Sequence, residues 1–469
     1  MDIVKRGASG TGKILPVKTK LFYGVSDLGT ALPLSAITFF LLYFYTDVAA
    51  VMPATGLGLT SATAGLALFL AKIWDAISDP LMGQISDRTR SRWGRRRPYL
   101  LFGALPYTLF FILLFTPPIV AGKWPTFAYL LIMFILFFTS STVVAVPYNA
   151  LLPELSLDSH ERTKLMAFRQ PFSVAGWVIG SAVLPLLVVL FSGGMLGYSN
   201  TAILFGAICC VALLTTFYGV KEREGFKTAR PLPLVESFRQ TFSNGPFWIF
   251  IAVYTLTSLG YTILSTVLIY YSKYWLGKEE LFTPIMAIVM GCLLLSIPMW
   301  VYISGRIGKK ETFVIGIIVL ISAVLFIFSH PRETGPLFYA IMVVAGIGTG
   351  AYFLFPYAIM PEIIDLDELK TGTRREGAYF GIYFLIFKIA IALAPFIVGV
   401  TMDRTGFVPN VPQSDTALFG IRMLVGPVPA IFFSLGLIAL FFFPLNKKKY
   451  GEIEEMLKEI RSKTKIDRR

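Results

Sequence analysis

The sequence predicts an all-α membrane protein of twelve spanning helices in two groups of six. Three observations carry this reading. Of the 469 residues, 55% are hydrophobic and the mean hydropathy is +0.69, with the apolar residues gathered into runs of about 20, the length that crosses a bilayer. Basic residues are divided unequally between alternate loops. Two landmarks recur at an offset of about 210 residues.

The runs cover Phe22–Tyr45, Ser61–Ile85, Tyr99–Phe115, Phe127–Leu151, Pro171–Leu190 and Ala202–Tyr218, then Phe247–Trp275, Phe282–Ile303, Phe313–Phe328, Leu337–Met360, Tyr379–Thr401 and Ile421–Phe443. The second is unusual, because Lys72, Asp75 and Asp79 lie in its middle. Spacings of three and four residues place them on one helix face. Each charge costs about 2.5–3.5 kcal/mol at the centre of a membrane helix on insertion scales, so a clustered set marks a polar pathway where something is bound or moved.

The net charge of +14 reflects topology, and no nucleic-acid partner is implied. With both termini cytoplasmic, the inner segments hold 34 of the 42 Lys and Arg residues, and the outer ones hold Lys123, Lys273, Lys278, Arg332 and Arg404. That asymmetry is the positive-inside rule. It predicts a multi-pass protein of the cell membrane, in contact with membrane lipids. The organisation expected is a cytoplasmic N-terminal segment (1–20), a six-helix bundle (21–220), a cytoplasmic linker (221–245), a second bundle (246–445) and a basic cytoplasmic tail (446–469). The first twenty residues are polar and basic without a small-residue cleavage site, so the first span is expected to act as the insertion signal. Cys209, Cys210 and Cys292 all fall in apolar runs and read as small core residues.

The two halves repeat. Gly94-Arg95-Arg96-Arg97 after span two answers to Gly305-Arg306-Ile307-Gly308-Lys309-Lys310 after span eight. Span four ends Pro147-Tyr148-Asn149 with Pro153-Glu154 following, and span ten ends Pro356-Tyr357 with Pro361-Glu362 following. Parallel six-span repeats are the plan of the major facilitator fold, in which a mid-membrane site is served by rocking of the two halves.

The run Trp74-Asp75-Ala76-Ile77-Ser78-Asp79-Pro80, continuing through Arg90-Ser91-Arg92-Trp93-Gly94-Arg95-Arg96-Arg97-Pro98, resembles the glycoside–pentoside–hexuronide:cation symporters, as do Tyr43-x-Tyr45-Thr46-Asp47-Val48, Asp365-x-Asp367-Glu368, Thr371-Gly372-x-Arg374-x-Glu376-Gly377 and Gly420-Ile421-Arg422. The resemblance, which covers almost the whole chain, implies that Asp75 and Asp79, helped by Thr142, bind the coupling cation, Na⁺ or H⁺. It also implies that Lys388 corresponds to a lysine of the melibiose-type members, and that Arg169 lies one residue from their sugar-contacting arginine. Three of their site residues are not carried over: Ala145, Ala31 and Asn149 stand where they have a third cation carboxylate, a sugar-binding aspartate and a tryptophan.

From the residues themselves, oxygen ligands suit Na⁺, and two close acids in a low dielectric share a proton. Substrate candidates are Asp27, Tyr148, Asn149, Arg169, Tyr357 and Lys388, because a hydroxylated ring beside an amide suits a polyol and an ammonium suits hydroxyls or an anion. Lys72, Asp87, Arg88, Glu154 and Arg162 are read as a charge network that breaks and re-forms during gating. Trp177, Tyr352, Phe353, Tyr379 and Tyr383 read as core more readily than as cavity lining. Trp124, Trp248, Trp275 and Trp300 are read as interface anchors, and His160 and His330 as solvated loop residues. Gly346-Ile347-Gly348-Thr349-Gly350 has small-residue spacing for helix packing.

The expectation is a secondary symporter that couples a cation gradient to uptake of a glycoside, pentoside, hexuronide or oligosaccharide, with no enzymatic activity and no cofactor besides the coupling ion. The alternatives are a sodium-coupled lysolipid carrier, lysophosphatidylcholine-like in its substrate, and a ligand sensor without net transport.

Overall fold

The computed structural model describes residues 15–49, 59–118, 122–156, 159–222, 244–371 and 376–466. Fifteen α-helices and no strand occur among the described residues: α1 (Val17–Ala36), α2 (Ser61–Arg88), α3 (Arg97–Leu114), α4 (Lys123–Leu155), α5 (Ser159–Val178), α6 (Leu184–Leu190), α7 (Gly194–Gly219), α8 (Gly245–Tyr270), α9 (Phe282–Ile307), α10 (Lys309–Ser329), α11 (Pro336–Thr371), α12 (Glu376–Arg404), α13 (Asp415–Val425), α14 (Pro427–Phe441) and α15 (Lys447–Ile466). In an apolar solvent every backbone N–H and C=O must find its partner within the segment, and the α-helix does this for each run.

Eleven helical stretches are long and apolar enough to span a membrane. The missing twelfth is α2, whose 28 residues give ample length. Its lower hydropathy comes from Lys72, Asp75, Asp79, Asp87 and Arg88, the same residues that mark it out chemically.

Several spans are interrupted. π-helical turns occur at Ile37–Leu41, just after Pro33, and at Phe44–Val48, Ile179–Val183 and Tyr271–Trp275. Proline removes a backbone donor and crowds the preceding turn, and a wider turn absorbs both effects. The twelfth span, expected to be continuous, breaks at Gly426 into α13 and α14, because Pro427 begins the second piece and cannot donate back.

The chain divides into two compact units, one of residues 1–59 and 70–229, the other of residues 60–69 and 230–469. In the first, α1 packs on α5 and α7, and α3 on α4 and α7. In the second, α8 packs on α12 and α14, and α10 on α11 and α14. These are the same pairings, displaced by six spans. Glycine makes the contacts close. A Cβ on Gly346 would lie 2.6 Å from the Val289 carbonyl oxygen of α9, and one on Gly348 would lie 2.9 Å from the Leu320 nitrogen of α10. The small-residue motif therefore packs one face of α11 on α9 and another on α10.

Three expectations are corrected. Trp300 is not an interface anchor: it is 2% exposed, and its indole N–H donates to the Ile347 carbonyl at 2.9 Å. His330 is not solvated: it is 8% exposed, its Nδ1 lies 2.8 Å from the Pro331 carbonyl oxygen, and its ring packs near Phe338. His160 lies within α5, not in a loop; its side chain is outside the described residues. The basic tail contains α15, whose Ile453 and Leu457 join the core of the second unit. Tyr352, Tyr379 and Tyr383 are buried there as core. Most of the linker (223–243) and of the Thr371–Gly377 motif (372–375) lies outside the described residues.

Gly346→Leu is expected to destabilise the protein by about 1–3 kcal/mol through overpacking, seen as a lower Tm in detergent. Gly291→Ala on α9, where a Cβ would meet nothing within 4 Å, is expected to leave Tm unchanged or raise it.

Candidate functional site

Two polar clusters form inside the first unit. In the first, α2 presents Asp75, Ser78 and Asp79 towards Thr142 of α4. The Thr142 hydroxyl lies 2.9 Å from Asp79 Oδ1, 3.2 Å from Asp75 Oδ1 and 3.0 Å from Ser78 Oγ, and Ser78 also donates to the Asp75 carbonyl at 3.1 Å. Asp75 is buried at 6% exposure, and Asp79 and Lys72 are half-buried. Asp75 and Asp79 share a face because they are one turn apart. A threonine has a single proton, so Thr142 donates to one of these oxygens at a time while staying within reach of the others. Two carboxylates and two hydroxyls form an all-oxygen donor set, which suits a hard cation such as Na⁺. Among the described residues no three His, Cys, Asp or Glu side chains converge as a metal centre would require. Ser78 was legible only as part of the span-two motif; its contact to Thr142 needs the fold.

In the second cluster, Arg169 of α5 makes a two-pronged pair with Asp27 of α1. Nε donates to Oδ2, and Nη2 to Oδ1 at 2.9 Å. Nη2 also donates to Asn149 Oδ1 at 3.0 Å, and Nη1 to the Tyr23 hydroxyl at 3.3 Å. The Tyr148 hydroxyl lies 2.8 Å from the Tyr23 carbonyl and 3.2 Å from Asp27 Oδ2, and the guanidinium sits 4.7 Å from the Tyr148 ring. Four of the six substrate candidates, Asp27, Tyr148, Asn149 and Arg169, are thus brought together, and the sequence did not signal Tyr23 as a fifth partner. Glycine explains the approach. A Cβ on Gly24 would lie 2.7 Å from the Phe168 carbonyl oxygen, so α1 and α5 nearly touch one turn from Asp27 and one residue from Arg169.

In the second unit, Tyr357 is exposed, with its ring edge-on to Tyr383 at 6.5 Å, and Lys388 is half-buried on α12.

Each unit also carries a charge lock. Arg96 pairs with Asp87 and, at 3.2 Å, with Glu154, which Arg95 reaches at 2.5 Å. Glu222 accepts the backbone N–H groups of Arg95, Arg96 and Arg97 at 2.5, 2.7 and 2.8 Å, capping α3. Gly94 turns the chain into this cap at φ +112°, where a side chain would be strained. In the second unit Lys309 pairs with Glu362 at 2.8 Å, and Lys310 donates to the Phe443 carbonyl at 2.5 Å. Of the expected network, Asp87 and Glu154 are joined through Arg96, and Arg95 adds a second contact to Glu154. Arg88 is exposed, and neither it nor Arg162 forms an ion pair with a described residue. A further buried pair, Lys20–Glu161 at 2.8 Å, ties α1 to α5.

All-helical units with paired internal repeats and acidic groups inside spanning helices define a secondary membrane transporter. Residues 22–447 match the family described as MFS/sugar transport protein, and the chain belongs to that family, the one that holds the glycoside–pentoside–hexuronide-type symporters. It is a transporter and not an enzyme. A protein of Salmonella typhimurium named as a candidate sulfoquinovose importer is 30% identical, over 96% of this chain and 94% of its own. The isoprimeverose transporter of Lactiplantibacillus pentosus is 28% identical, over 94% and 92%. Among solved structures, a D-xylose–proton symporter superposes with a TM-score of 0.66 at 16% identity, over 91% of this chain and 97% of its own.

Hydrogen bonds from Lys164 and then Lys20 hold the Glu161 carboxyl well below its usual 4.5, at about 2. A depressed carboxylate stabilises the fold above its unfolded pKa and loses that contribution as pH falls towards its folded one. Glu161→Gln is therefore expected to lower Tm at pH 6, with the difference from the native protein shrinking between about pH 4.5 and about pH 2. Thermal unfolding across that range measures it.

Proposed function

We propose that the protein is a cation-coupled sugar symporter of the cell membrane, with both termini cytoplasmic. The observation that carries this reading is the convergence of Asp75, Asp79, Ser78 and Thr142 on one point inside spanning helices. A cation entering there offsets the repulsion between two carboxylates. Na⁺ does so through oxygen coordination, and H⁺ by protonating one of the pair. The sugar is held at the Asp27–Arg169–Tyr148–Asn149 cluster of the first unit, and Tyr357 and Lys388 are the substrate candidates that lie on the second unit. Uptake proceeds by alternating access, with the Arg96–Glu154 and Lys309–Glu362 pairs parting and re-forming. Linkage requires that if the ion tightens sugar binding, the sugar tightens ion binding equally.

The family description and the relatives' names support a sugar over a lysolipid. Those names include both an uncharged disaccharide, isoprimeverose, and a sulfonated sugar, sulfoquinovose. Net flux of sugar in vesicles separates this carrier from a sensor.

In proteoliposomes with isoprimeverose as the trial substrate, Asp75→Asn is expected to abolish stimulation of uptake by an imposed Na⁺ or H⁺ gradient. Thr142→Val is expected to weaken the apparent ion affinity by about tenfold, the scale of one hydrogen bond to a charged group. Ion stimulation unchanged in Asp75→Asn sinks the cation assignment.

A further inference from the structure

The donor count at Arg169 bears on which sugars the cluster accepts. A guanidinium has five N–H groups. Here Nε meets Asp27 Oδ2. Nη2 meets Asp27 Oδ1 and Asn149 Oδ1, and Nη1 meets the Tyr23 hydroxyl and, at 3.7 Å, the Met166 sulfur. That makes five contacts for five donors. The rings of Tyr148 and Tyr23 lie 4.7 and 5.4 Å from the guanidinium carbon. The positive charge is cancelled by one carboxylate in a two-pronged pair, the strongest geometry such a pair adopts. No donor is left over for an anionic group on an incoming molecule.

The same contacts fix what the cluster does offer. Because the Asn149 carbonyl faces Arg169, its amide N–H₂ must point the other way, and Asn149 is exposed. Asp27 accepts from Arg169 on both oxygens, with the Tyr148 hydroxyl also 3.2 Å from Oδ2, so Oδ1 is the oxygen that retains a further lone pair. The cluster therefore presents amide donors and a carboxylate acceptor, the pairing that a hydroxyl, both donor and acceptor, satisfies.

We infer that the Asp27–Arg169 pair is a charge filter. It makes the substrate an uncharged polyol, such as a neutral pentoside or hexoside, and excludes uronates and sulfonated sugars, which would have to break the pair to gain a counter-charge. The inference rests on the sugar-symporter reading and narrows its substrate class. A purely structural pair would alter stability when broken, but would not alter the choice between neutral and anionic sugars.

The test uses glucose, glucuronate and sulfoquinovose, which differ only at carbon 6, together with isoprimeverose. Each is assayed by competition for uptake and by sugar-induced shift of Tm, with Na⁺ present. The native protein is expected to favour the neutral sugars over the anionic ones by about tenfold or more. Asp27→Asn, which leaves the guanidinium without its counter-charge, is expected to move that ratio at least about tenfold towards the anions. The double variant Asp27→Asn/Arg169→Gln restores neutrality and is expected to lose the shift. Preference of the native protein for either anion overturns the filter while leaving the symporter standing, and needs no variant to fold. An unchanged ratio in Asp27→Asn overturns it too. Failure of the native protein to respond to any of the four sugars sinks the sugar reading, and the filter with it.

Discussion

The structure depends on one constraint: a charge in an apolar solvent must be compensated inside the protein, because desolvating it alone costs several kcal/mol. In the first unit several inward-facing acids have a specific answer. Asp27 has Arg169, Asp75 and Asp79 share the Thr142 hydroxyl, and Glu154 has Arg95 and Arg96. These answers differ in kind. The first and third are ion pairs, whereas the second includes a hydroxyl held between two carboxylates.

Close helix approach makes such compensation geometrically possible. Gly24 brings α1 against α5, and Gly29 brings it against Cys209 of α7, so a short Asp on α1 reaches an Arg on α5. In the second unit Gly346 and Gly348 seat α11 against two neighbours. Without a hydrophobic driving force between helices in lipid, small residues and polar contacts supply the association. Loss of one glycine therefore disturbs both packing and charge placement.

The internal repeat extends to particular interactions. The glutamate that follows the proline of span four is held by the basic loop after span two, and the glutamate that follows the proline of span ten by the basic loop after span eight. In each unit the segment after the last span also fastens that loop, through Glu222 in one and the Phe443 carbonyl in the other. The details differ, since Arg95 and Arg96 are forked donors and Lys309 is a point charge. The lock keeps its position in the two repeats and differs in its chemistry.

Much of this was legible in the chain itself. Bilayer thickness and backbone hydrogen bonding leave an apolar run of about 20 residues no choice but helix, so eleven of the spanning stretches followed from hydropathy, and the exceptional charges of α2 marked the chemistry. Local spacing put Asp75 and Asp79 on one face. Spacing within one helix says nothing about which residue of another helix stands opposite. The bridge from Thr142 to Ser78, the Tyr23 contact to Arg169, the Glu222 cap, the burial of Trp300 and His330, the break at Gly426 and the seating of α15 all depend on partners far away in sequence, and only tertiary packing decided them.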